Sequence, residues 1–524
     1  MINTETQLMK TLLKLLASYT LYLLIFSSQL NASTFLAEYS EIDIVISNGR
    51  VLDGLGNKPI LADLVIVNDE IVFVGEAVFD ETDFEQRIKN HIDAKQRIVA
   101  PGFIDLHAHG YPLKTPAFEN FIAMGVTTIT LGQDGDSPEV YDLSQWLSKV
   151  ERNAIAVNLA MFVGHGTLRR LTGINLKAIP TPMNMEKMLT LLNNTLKYTF
   201  GMSTGLEYNP GLNAQQAEME ALAKVVGKNQ RLIMSHLRNE DDDQMAKSIK
   251  ELLKQGEFSK VHVSHIKSVY GKGKTSAEKI LQQLQDARKH GINISSDIYP
   301  YNASYAGISL LFPVWAKTTK QFEVAIVERK EELETFLRNK ITKRNGPEAT
   351  LFGTAPYTGK TLATVSEELG IPFEKVLMQL GPKGVSGAYF IMDDALQTRL
   401  LIDPQVSISS DGRMKGFHPR GHGSFAKIIE EYVIKRKILS LEEAVRKMTS
   451  QSANILGISD RGIIQQGKKA DIIIFEPANV KARATYSQPH QLAQGFDLVI
   501  VNGKIARQAE IMTEHFSGKV LKPD

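Results

Sequence analysis

His107 and His109 stand one residue apart in IVAPGFIDLHAHG, residues 98–110. On an extended strand, residues i and i+2 face the same side. The pair therefore aims two imidazoles together at the end of the apolar run 103–106. Two further histidines share that context. His236 closes LIMSH and His265 closes VHVSH, each an apolar run ending in Ser-His. Asp411 closes VSISSD just before a glycine. Four imidazoles and a carboxylate gathered in one place suit zinc or a related divalent ion. A carboxylate on or beside such an ion can take a proton from water and pass it to a leaving nitrogen. An Asp-Gly pair is also an ordinary turn, and the histidines favour the catalytic reading of Asp411.

These residues lie far apart in the chain, so a fold must converge them. Strand-like runs recur through the middle: TTITLG, VNLAMFVG, MSTGL, RLIMSH, KVHVSH, INISSDIY and QVSISSDG. Amphipathic helical stretches separate most of them, for instance 214–226 and 277–290. Strands alternating with helices predict parallel β/α units, and about eight such units close into a TIM-like barrel. Nearly every run ends in a polar residue: His107 and His109, Asp134, His165, Glu207, His236, His265, Asp297, Asp411. Enzymes on this architecture build their sites at the C-terminal ends of the strands.

The two ends of the chain differ from the middle. IDIVISNGRVLDG (42–54) and FDLVIVNGKIARQ (496–508) both carry Asn-Gly between apolar stretches, a hairpin signal. Together the ends predict one small β-sandwich, residues 33–100 and 461–524, around a barrel over 101–460. Residues 312–384 break the β/α rhythm and predict a helical insertion or subdomain before the last barrel strand. At the very start, Lys10 and Lys14 precede the uncharged run LLASYTLYLLIF and then SSQLNAS. A basic region, a short apolar region and Ala32 at the cut predict a signal peptide over residues 1–32, hence an exported, periplasmic or secreted protein with no stable membrane partner after cleavage; an uncleaved anchor is the alternative, since Leu30 is a less usual residue two before the cut.

The chain has 524 residues, 43 % of them hydrophobic and 23 % charged, with a formal net charge of +2. Those values fit a globular protein and give no basic tract for nucleic acid. Cysteine is absent, which excludes disulfides, thiolate ligands and a cysteine nucleophile. Any metal must be held by histidine and carboxylate.

Beyond these single features, PGFIDLHAHG, GHGTLR, STGLEYNPG, SHLRNE, SHIK, DIYPY, SSDG and HPRGHGSF together resemble the D-aminoacylase (N-acyl-D-amino-acid deacylase) family of the amidohydrolase superfamily. So does the ending LSLEEAVRKMTSQSANILGISDRGIIQQGKKADIIIFEP. The resemblance covers nearly all of the chain after the predicted signal. It implies a TIM-like barrel with a small β-sandwich, one or two divalent ions such as Zn2+, and a small-molecule N-acyl amino acid or short peptide as substrate. By it, His107 and His109 hold one metal position with Asp411, His236 and His265 hold the second, and Asp411 is the general acid/base. The implied reaction is hydrolysis of N-acyl-D-amino acids. Another amidohydrolase activity (on cyclic amides or dipeptides) and a binding protein that lost catalysis remain alternatives.

One departure stands out. The family carries a cysteine ligand after its second strand, where this chain has LGQDG with Asp134. Aspartate is anionic too, but harder and shorter than thiolate. Asp134 can bind or bridge, and Glu207 in STGLEY can supply or share that role. For the substrate carboxylate, family analogy and charge point to Lys267, Tyr299, Ser304 and Arg420. Arg238 and Glu240 are expected to orient the His236 region. His165, His418 and His422 are not expected to be ligands.

Overall fold

The computed structural model describes residues 39–76 and 85–523. The predicted signal segment, residues 1–32, lies outside them.

Eight parallel strands form the central sheet. They are β1 (Phe103–Asp105), β2 (Val126–Leu131), β3 (Asn158–Gly164), β4 (Gly201–Gly205), β5 (Leu232–His236), β6 (Lys260–Val263), β7 (Ile294–Ile298) and β8 (Val406–Ile408). Each pairs with its neighbour in chain order. β2 and β3 are buried at every position, as strands covered on both faces must be. The sheet comes round on itself just beyond β1 and β8. There Asp411 N donates to His107 O at 2.8 Å and His109 N donates to Gly412 O at 2.8 Å. The residues with chemistry in their side chains thus join the barrel through their backbones.

The outer helices are amphipathic. Gln216–Lys228 buries Leu222 and Val226, and Gly273–Lys289 buries Ile280 and Leu284. Two glycines let loops enter the barrel mouth. A Cβ on Gly132 would stand 2.0 Å from Phe162 O, and one on Gly205 would stand 2.0 Å from Asp134 O. Gly132 also has φ +82, a conformation that side chains disfavour.

The two ends of the chain combine in one nine-stranded, mostly antiparallel sheet. Its edge strand Glu70–Gly75 returns to the loop before Ile472–Phe475, with Ile71 N donating to Lys468 O and Ala470 N to Asp69 O. The sheet therefore curls around an apolar core that includes Ile44, Leu64, Val99, Ile472 and Leu498. The hairpin expected within 42–54 is not there. Ile42–Val51 is one continuous strand, with a bulge between Ile46 and Gly49. The positive φ of Asn48 serves the bulge. A Cβ on Gly49 would lie 2.6 Å from Val99 Cγ2, so glycine is needed for strand packing, not for a turn. The second Asn-Gly does make the expected hairpin: Asn502 and Gly503, both with positive φ, join Phe496–Val501 to Lys504–Gln508.

The insertion is larger than 312–384 and is not purely helical. A three-stranded antiparallel sheet of Ala303–Gly307, Ser386–Phe390 and Thr350–Phe352 frames four helices. It has its own core, including Leu333, Leu337, Phe352, Leu377 and Tyr389. Its first strand starts just after β7 and places Ser304 and Tyr305 at the barrel mouth.

Candidate active site

His107, His109, His236, His265, Asp134 and Asp411 converge at the C-terminal ends of the barrel strands. Asp134 is at the centre. Its Oδ1 lies 3.3 Å from His107 Nε2, 3.2 Å from His265 Nε2 and 3.7 Å from His236 Nδ1. Its Oδ2 lies 3.4 Å from His109 Nε2. Asp411 Oδ1 is 3.1 Å from His109 Nε2 and 3.9 Å from His107 Nε2. The donors fall into two sets that share Asp134: His107, His109, Asp134 and Asp411, then Asp134, His236 and His265. The aspartate in the cysteine's place therefore faces all four histidines.

Three of these residues have strained backbones. Asp134, His265 and Asp411 have φ values of 56, 37 and 48 degrees, where non-glycine residues are uncommon. Each is held by a polar clamp. Asp297 on β7 accepts from His265 N at 2.7 Å and from Ser409 Oγ at 2.7 Å, and its other oxygen lies 2.6 Å from His262 Nε2. Asp105 on β1 accepts from His107 N at 3.1 Å and Ser410 N at 2.9 Å, fixing the segment that carries Asp411. Gly135 N donates to Ser203 Oγ at 3.0 Å beside Asp134. Burial pushes the Asp105 carboxyl up to about 7, against those hydrogen bonds.

The outer sides of the histidines differ. Beyond His236, Glu207 Oε2 lies 3.1 Å from Nε2, the ring nitrogen facing away from Asp134. Beyond His265, Nδ1 faces Lys267 Nζ at 2.8 Å and Glu240 Oε1 at 3.5 Å, and Lys267 and Glu240 pair at 2.7 Å. Glu207 thus borders one histidine only, and forms with His236 and Glu240 a further donor group. Arg238 turns away: it pairs with Glu251 and donates to Leu212 O and Ala214 O, anchoring the loop after β4. His165 is engaged by Glu218 at 2.7 Å, and His418 Nε2 by Ala303 O at 3.0 Å. His422 packs beside His490.

Charges in the cluster sustain one another. Burial raises the Asp411 carboxyl, but Arg420 and the histidines bring it well below its ordinary range; Arg420 Nη1 sits 2.6 Å from Asp411 Oδ2. Burial also opposes ionisation of Asp134, and His107 and its neighbours override it. Against the same burial cost, Lys267 and His236 bring Glu240 down to about 2. Glu240 in turn holds Lys267 up at about 12. His236 is raised to about 10, against burial, by Glu240, Asp134 and Glu207.

Both ring nitrogens of His107 are buried and make no hydrogen bond. Nε2 faces Asp134 Oδ1 at 3.3 Å without hydrogen-bond alignment. A cation between His107, His109, Asp134 and Asp411 would satisfy Nε2, and the imidazole–carboxylate set fits zinc or a similar divalent ion. The residues present fit a metal.

Next to the cluster lies a narrow cleft lined by Glu240, Lys267, Tyr299, Ser304, Arg344 and Arg420. The Tyr299 and Ser304 hydroxyls are buried without partners, and Lys267 and Arg420 lie over the Tyr299 ring at 5.9 and 4.9 Å. Lys267, Tyr299, Ser304 and Arg420 are thus brought together, with Arg420 engaged on Asp411. The sequence did not single out Tyr208, whose ring is 4.5 Å from that of His236, or Arg344, which the insertion supplies. Nor did it single out the Asp297–His262 and Asp105–Ser410 clamps. Asp297 showed itself only as a polar strand end.

A family model described as "Amidohydrolase family" matches residues 378–507. The chain is similar to an N-acyl-D-glutamate deacylase of Alcaligenes xylosoxydans xylosoxydans, 30 % identical over 511 residues that cover 92 % of this chain and 97 % of that protein. It is also similar to a D-aminoacylase of the same organism, 28 % identical, covering 91 % and 97 % of the two chains. Among solved structures it is similar to an N-acyl-D-glutamate deacylase from Bordetella bronchiseptica, complexed with zinc and a phosphonate inhibitor that mimics the tetrahedral intermediate. There the TM-score is 0.79 and the identity 28 %, over 92 % of this chain and 100 % of that one.

Proposed function

The chain belongs to the D-aminoacylase family of amidohydrolases, and on that premise we propose that it is a metal-dependent hydrolase cleaving N-acyl-D-amino acids to a carboxylate and a free D-amino acid. The observation that carries the metal is the convergence of His107, His109, Asp134 and Asp411, with Asp134 shared with His236 and His265, around a buried His107 Nε2 that makes no hydrogen bond. His107, His109 and Asp411 would hold one metal ion and His236 and His265 another, with Asp134 within reach of both sets. Glu207 and Glu240 orient the second pair of rings. Zinc is the proposed ion, supported by the donor set and by its presence in the Bordetella structure. A divalent ion held here supplies Lewis acidity, lowering the pKa of water and polarising the amide carbonyl.

The chain's own residues do the rest. Asp411 is ionised, held by Arg420 and lined up beside His109. It accepts a proton from the attacking water and delivers it to the departing nitrogen. The water oxygen bonds to the acyl carbon, the C–N bond breaks, and the products are a carboxylate and an amine. Lys267, Arg420, Tyr299 and Ser304 present charge and free hydroxyls to the α-carboxylate of the amino-acid end. We further propose export, on the strength of residues 1–32 alone; finding the protein in the cytosol on cell fractionation would remove that proposal.

The test is amine release from paired N-acetyl-D- and N-acetyl-L-amino acids. D-selective release is expected. Release from cyclic amides or L-dipeptides instead would replace this reading with another amidohydrolase activity.

A further inference from the structure

Beside the metal cluster opens a second cavity, of about 720 Å³ and with a different lining from the cationic cleft. His109 and Asp134 form part of its wall, so it reaches the reacting centre. Its other walls include Leu113, Leu131, Pro138, Trp146 and Met161. Leu131 and Met161 are buried, and the exposed lysine and arginine side chains, Lys114, Arg413 and Lys415, line it as well. Tyr208 lines both cavities.

The two cavities ask for different chemistry. The cleft with Lys267, Arg344, Arg420 and two free hydroxyls suits the carboxylate end of the substrate. The amide must lie at Asp411 and the histidines, so the acyl group leads away from that cleft. A volume of this size is typical of sites that enclose a whole ligand, and an acetyl group would leave most of it empty. We propose that this cavity binds an extended apolar acyl chain, so that the preferred substrates are N-acyl-D-amino acids of medium chain length, octanoyl to dodecanoyl. The inference rests on the hydrolase reading above and adds the identity of the acyl group to it.

The experiment is a series of one D-amino acid carrying acetyl, butanoyl, octanoyl and dodecanoyl groups. It is followed by kcat/KM and, on the same compounds, by calorimetric binding to the metal-loaded protein. Burying each methylene is worth roughly a two- to fourfold gain, so kcat/KM and affinity should both climb along the series. In Leu113→Trp, which fills the cavity, the dodecanoyl-to-acetyl ratio should fall at least roughly tenfold. Turnover that is flat or falling with chain length overturns the acyl cavity and leaves the hydrolase reading standing. Affinity that climbs without any turnover overturns the hydrolase reading and supports the cavity. A wild-type climb that Leu113→Trp leaves untouched places the chain elsewhere and overturns this assignment.

Discussion

The two halves of the metal cluster are built from the same side chain and supported in opposite ways. On the β5–β6 side, the far nitrogens of His236 and His265 meet Glu207, Glu240 and Lys267, and Asp297 holds the strained His265 backbone. On the β1–β8 side, support comes through the backbone, from Asp105 and the bonds that close the barrel. His107 itself has no hydrogen bond on either ring nitrogen. A carboxylate behind a ligating ring fixes its tautomer and raises its basicity, as Glu207 does for His236; at His265 the Lys267 ammonium works against basicity and Glu240 restores it. On the function proposed above, the braced half would be the high-affinity position, and the bare half the one where the catalytic carboxylate meets substrate. One cluster would then separate holding the ion from using it.

Removing a braced ring gives the largest expected effect. His265→Ala should lose the tightly held ion and all measurable turnover, whereas His107→Ala should keep about one ion per chain. Equal metal loss in the two variants, read by elemental analysis, would break the comparison. Next comes Asp411→Asn, which should lower kcat by about 10²–10⁴-fold while the braced half stays loaded. Unchanged kcat would remove Asp411 from proton transfer. Glu207→Gln should weaken the tight position by about 10–100-fold, read in competition with a chelator. No loss of affinity would mean that the partner behind His236 is idle.

A further prediction sharpens the same point with two buried lysines. Lys267, paired with Glu240, is held up at about 12. Lys447, fully buried, has Asp403 O as a hydrogen-bond partner and is pulled down to about 7 by burial, which outweighs nearby carboxylates. Its folded-state value is below its unfolded one. Between about 7 and the unfolded value, the unfolded chain binds more protons, and stability rises with pH by up to about 1.4 kcal/mol per unit. That portion of the rise should vanish in Lys447→Met when unfolding is followed across this range. A rise of the same size in the variant would contradict the assignment.

The sequence carried the parts of this account that repeat locally. Apolar runs ending in polar residues located all eight barrel strands, because each strand needs only its own neighbours to be recognised. His107 and His109 were legible from spacing, and His236 and His265 from identical endings. What escaped depends on distant partners. Asp105 meets Ser410 across 305 positions, and His262 meets Asp297 across 35. The dipeptide Asn-Gly made a turn at Asn502 and a bulge at Asn48, since neighbouring strands decide which use its positive φ finds. The small sheet of the insertion was missed because its strands are three to five residues long and carry no clear alternation. Asp134 was visible as a residue out of place; only the fold puts it between both pairs of histidines.

The most direct test is a titration of zinc into chelator-stripped protein, following N-acyl-D-amino acid hydrolysis and bound metal together. Turnover should be absent without metal and return as one to two ions bind per chain, the tighter one lost in His265→Ala. Hydrolysis that persists in stripped protein, or protein that binds no metal under saturating conditions, would contradict it.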